Sequence, residues 1–227
     1  MVQRKTDNMG RGSIIMDLEL NLHHLICGYL PLASALVLYY ALTGPRQKLP
    51  LGHMLLSFAF CFYLVGVLTV TGVWFFGSLA PRFSFVPFVG MIRSPVESVL
   101  NIVLFVPLGI FLPIQYERFD SIGKAALVGF LLSLSIELLQ MFDSGTTDVN
   151  DLIMNTLGAC LGCCLVKPVA AILPKSRLKT VCMEGKQCVV ELCLFCILSF
   201  VMMLGVQPRL YQLWFGVGRV GDLSVWR

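Results

Sequence analysis

Between Ser133 and Gly162 the chain sets acids and amides inside segments that are otherwise apolar. Glu137 and Gln140 interrupt one such run, Asp148 and Asp151 open the next, and Asn155 lies within it. An earlier apolar run carries Asn101. Two kinds of chemistry use these residue types. Carboxylates and amides converging in a dry pocket can bind the polar head of an amphipathic molecule through a few placed hydrogen bonds. Alternatively, Glu137 acts as a general acid or base while Asp148 and Asp151 hold Mg²⁺ beside a phosphate, because that ion prefers oxygen ligands. No nucleophile accompanies the acids.

Structural roles compete with these. Thr147 or Asp148 caps the following helix, Asp151 favours its positive end, and Asn155 ties helices together. Glu137 resists such a reading. A carboxylate that far inside an apolar helix must be protonated, paired with a cation such as Arg82 or Arg93, or bound to something.

Helical spacing gathers the candidates. Ser133, Glu137 and Gln140 share one helix face, as do Asp148, Asp151 and Asn155. The spans that carry Asn101, Glu137 and Asn155 alternate in direction, so the start of one, the end of the next and the start of the third meet at one membrane face. With a rise of about 1.5 Å per residue, all three residues lie roughly 7–10 Å below that face.

The elements that must hold these residues are membrane helices. In 227 residues, 57% are hydrophobic and only 13% charged, more apolar than a soluble interior can absorb. The expected fold is all-α, a multi-pass transmembrane bundle of about six spans. These are Leu25–Leu42, Met54–Phe76, a third from Pro95 to about Tyr116, Ile122–Phe142, about Asp148 to Leu173, and Gln187–Val206. Residues 1–24 read as a polar tail without a signal peptide. Residues 77–98, with three prolines, aromatics, Arg82 and Arg93, are expected along the interface.

Lysines and arginines divide nine against eight between the two sets of loops, and residues 143–150 lack cations where 167–186 hold five. This places both termini outside and the polar residues in the outer leaflet. The net charge of +4 is spread over many loops and calls for no nucleic-acid partner.

Seven of nine cysteines (Cys27, Cys61, Cys160, Cys163, Cys164, Cys193 and Cys196) sit in apolar runs as small hydrophobes. Their two CxxC spacings lack histidine partners, and no metal site is expected. His23, His24 and His53 flank spans, which suggests interfacial roles. Gly158 and Gly162 make a GxxxG packing face.

Three pieces in order, Asn101-Ile-Val-Leu-Phe-Val-Pro107-Leu-Gly109, Ile136-Glu137-Leu-Leu-Gln140 and Thr147-Asp148-Val-Asn-Asp151-Leu-Ile-Met-Asn155-Thr-Leu-Gly158, resemble the VanZ-like membrane protein family. Phe85-Val-Pro87-Phe88 adds to the likeness. It divides the chain into 1–59 (tail, first span, start of the second), a VanZ-like core at 60–165, and 166–227 (basic loop, last span, tail). The resemblance implies a multi-pass protein of the bacterial cell membrane, in a family whose founding member is linked to resistance to the glycopeptide teicoplanin. Asn101, Gln140, Asp148, Asp151, Asn155, Arg82 and Arg93 are the expected ligand-binding residues, with Glu137 as the catalytic candidate. The expected partners are membrane lipids, with a lipid-linked cell-wall precursor or a lipopeptide drug as the bound molecule. No cofactor is expected, Mg²⁺ entering only with catalysis; a non-catalytic scaffold is a further alternative, and ion or proton movement ranks last because polar residues on the opposite side of the third to fifth spans are sparse.

Overall fold

The computed structural model describes the backbone of residues 2–47, 49–73, 82–84, 95–141, 146–172 and 181–215. Its elements in chain order are α1 (Val2–Gln47), α2 (Leu51–Val70), β1 (Arg82–Ser84), α3 (Pro95–Gln115), α4 (Ile122–Gln140), β2 (Thr146–Asp148), α5 (Val149–Ile172), α6 (Gln187–Val201) and α7 (Gln207–Phe215). Among the described residues six stretches are long and apolar enough to span a bilayer: Leu18–Thr43, Leu51–Val70, Pro95–Gln115, Ile122–Gln140, Val149–Pro168 and Gln187–Phe215. At about 1.5 Å per residue, even a 19-residue span approaches the roughly 30 Å hydrocarbon core. The expected all-α bundle of six spans is what the chain forms.

Three helix ends differ from the sequence expectation, each for a local reason. α1 continues through the polar tail, since a helix satisfies its own backbone whether water or lipid surrounds it. α2 stops at Val70, six residues before Phe76. Gly72 takes φ +74°, Val73 N donates to Leu68 O at 3.0 Å, and Gly72 N donates to Thr69 O at 3.1 Å. This is a Schellman stop, which glycine adopts without Cβ strain. The last span runs past Val206 to Phe215 because Met202–Val206 widens into a π-turn. There Gln207 N bonds Met202 O, which lets the helix carry Pro208, a residue without an N–H.

The tightest packing joins α3 to α5. A Cβ on Gly158 would meet the Ile102 carbonyl, one on Gly162 the Val106 carbonyl, and one on Gly109 the Ala159 carbonyl. The small face of α5 therefore accepts the backbone of α3 directly, as GxxxG faces do. On α4, a Cβ on Gly129 would instead meet the Ala159 methyl, a side-chain contact. β1 and β2 form a parallel ladder pairing Arg82 with Thr146, Phe83 with Thr147 and Ser84 with Asp148. It brings part of the interfacial segment against the entry to α5.

Candidate functional site

The first turns of α3 and α5, the last turns of α4 and the strand β2 meet at one end of the bundle. At the outer level, Asn101 Nδ2 donates to Asp151 Oδ1 at 2.6 Å. Glu137, 4% exposed, accepts the Asp148 backbone N–H on Oε2 at 3.1 Å. Roughly one turn deeper, Asn155 Nδ2 donates to Ser133 Oγ at 2.9 Å. The three residues expected at a common depth do share one region, and each has a partner on another element: Asp151 for Asn101, Asp148 for Glu137 and Ser133 for Asn155.

Two site residues also take structural roles. Asp148 Oδ1 accepts from Asn150 N at 2.9 Å and from Asn150 Nδ2 at 2.7 Å, capping α5. Asp148→Ala should therefore lower stability by about 1 kcal/mol, read as a lower midpoint in thermal unfolding. Gln140 Nε2 donates to Thr71 O at 2.8 Å, binding α4 to the stop of α2. Arg82 enters through its backbone in β1, and Arg93 lies outside the described residues.

Three acids gather at this end: Glu137, Asp148 and Asp151 lie within electrostatic range of one another, and Glu97 acts on Asp151. Among the described residues no three His, Cys, Asp or Glu groups are disposed to hold a metal ion. Asn155 Oδ1 is buried and has no hydrogen-bond partner among the described residues. Exchanging the amide's O and N would only move the deficit, because Ser133 satisfies one end in either orientation.

Sequence reasoning missed a second polar centre, at the opposite end of the bundle. His53, expected at the interface, is fully buried there and lies 2.8 Å from Glu191. The signal was the one that singled out Glu137: Glu191 is an acid in the first turns of an apolar span. His24 is likewise buried, against Gln207.

Fold and site together define a class: a multi-pass helical membrane protein with an amide–carboxylate cluster where three helices meet. A family model described as VanZ/LLP1 matches residues 29–173, and the chain belongs to that family. The match is wider on both sides than residues 60–165 and takes in most of the first span. Protein VanZ of Enterococcus faecium is 37% identical over 67 residues, 29% of this chain. Those residues cover 41% of that relative's length. No solved structure matches the chain.

Proposed function

We propose that the cluster of Asn101, Glu137, Gln140, Asp151 and Asn155 is a binding pocket in the outer leaflet of a bacterial cell membrane. Its ligand is an amphipathic envelope component, a lipid-linked cell-wall precursor or a lipopeptide-like drug, and through it the protein contributes to glycopeptide (teicoplanin) resistance. Arg82 and Arg93 contact an anionic headgroup.

The observation that carries this reading is the orphaned Asn155 Oδ1. A buried acceptor without a donor costs about 1–3 kcal/mol, which a ligand hydroxyl or amide N–H would recover.

The test uses the full-length protein in nanodiscs and a radiolabelled, photoactivatable polyprenyl-pyrophosphate precursor. Wild type should cross-link through α3 to α5, and Asn155→Leu should cut labelling about tenfold, the equivalent of one hydrogen bond. Unchanged labelling in that variant would refute the pocket. Loss of thermal stability without any change in labelling would favour the scaffold.

A further inference from the structure

The second polar centre joins the last turns of α1 and α3, the first turns of α2 and α6, and residues 181–183. Glu191, 1% exposed, accepts Tyr39 OH on Oε2 at 3.1 Å and Tyr116 OH on Oε1 at 3.2 Å. His53 places Nε2 2.8 Å from Glu191 Oε1 and Nδ1 2.9 Å from Val181 O. A carbonyl oxygen only accepts, so Nδ1 carries a hydrogen. One further proton then lies between Nε2 and Oε1, as imidazolium facing carboxylate or as neutral ring facing carboxylic acid. Both forms leave the pair without net charge, which burial requires. Around it, Tyr40 OH donates to Ser57 Oγ at 2.7 Å, and Gln115 Nε2 donates to the same oxygen at 2.6 Å.

The segment that supplies Val181 O is stitched to the end of α3. Met183 N donates to Gln115 O at 2.8 Å, Glu117 N donates to Met183 O at 3.1 Å, and Cys188 Sγ donates to the same carbonyl at 3.0 Å. The partners come from two sides of a boundary. His53, Tyr39 and Tyr116 lie inside the family match at 29–173, whereas Glu191 and residues 181–183 lie beyond it. A span needing only adhesion could be held by apolar packing. A buried histidine–carboxylate pair adds little net stability but makes docking specific and conditional on both partners.

We propose that this centre is a clasp. A one-proton bridge between His53 and Glu191 fastens the sixth span and the strap 181–186 to the family core. Opening it lifts the strap from the Gln115–Tyr116 end of α3 while the α3–α5 pair stays closed.

Maleimide labelling of the full-length protein in nanodiscs, with sites resolved by peptide mass spectrometry, tests this. Cys188 is fully buried beside the strap, and Cys163 is fully buried where α5 meets α3. His53→Leu and Glu191→Leu should each raise the labelling rate of Cys188 about tenfold or more and leave Cys163 protected. In the double variant the two effects should not add, because either change already breaks the bridge. Wild-type protection of Cys188 in the single variants would overturn the clasp. So would equal exposure of both cysteines, which would make the network a prop of the whole bundle. If the leucine variants do not accumulate, His53→Phe decides the matter. A phenylalanine ring fills the same space but can bond neither Val181 O nor Glu191, and Cys188 should again react faster. A wild-type rate in that variant rejects the proposal.

Discussion

Gly162→Ala is expected to destabilise the bundle by about 3 kcal/mol, the upper end of the usual cost of overpacking. The new methyl would fall on the Val106 carbonyl, with Gly109 Cα and Ile110 N each 3.0 Å away. All three are backbone atoms of α3. No side chain can rotate aside, so the helices must part. Gly123→Ala is the matched control: a Cβ there meets nothing within 4 Å, and glycine in a helix costs roughly 1 kcal/mol relative to alanine. Thermal unfolding followed by circular dichroism in detergent should give a clearly lower midpoint for the first variant and an equal or higher one for the second. Equal midpoints for Gly162→Ala and wild type would mean that α3 and α5 are not in backbone contact. The site would fall with that contact, because the 2.6 Å approach of Asn101 to Asp151 depends on it.

The parts of this architecture that repeat along the chain were legible in the sequence. Apolar runs of bilayer length gave six spans, and alternation of direction placed Asn101, Asp151, Glu137 and Asn155 at one end. Helical spacing likewise identified Gly158 and Gly162 as a packing face. What sequence could not supply was pairing between distant residues. The ladder of β1 with β2 joins positions 64 residues apart, and neither strand carries a hydrophobic alternation of its own. Nor does spacing say that Asn155 turns to Ser133, or that Gln140 turns away to Thr71. Helix ends were misjudged where one backbone atom decides them. Gly72 stops α2 within a run that hydropathy reads as continuous, and Pro208 is absorbed by a π-turn that hydropathy cannot see. The second polar centre escaped because its histidine stands 138 residues from its carboxylate. His53 alone looked like an ordinary end-of-span residue. Burial of both reveals the pair.

Glu137 separates binding from catalysis, and two substitutions do so together. Glu137→Leu removes the acceptor of the Asp148 N–H and leaves that donor without this partner. The cost should be about 2 kcal/mol of stability, together with loss of precursor cross-linking as the entry to α5 shifts. Glu137→Gln behaves differently. Its amide oxygen still accepts from Asp148, its volume is unchanged, and it takes one acid away from the repulsion among Glu137, Asp148 and Asp151. A binding pocket should therefore keep cross-linking within about threefold of wild type, since a neutral acceptor still serves the Asp148 N–H. An acid–base enzyme cannot survive this change, because glutamine does not titrate. Turnover of a lipid-linked phosphate should then fall by about 10²–10⁴-fold while precursor cross-linking persists. Measuring both quantities on both variants distinguishes the readings. Labelling kept in the glutamine variant and lost in the leucine variant fits a pocket that recognises its ligand by shape and hydrogen bonds. Loss of labelling in the glutamine variant at unchanged stability would make the carboxylate charge itself the contact. The ligand's head would then have to be cationic rather than a phosphate.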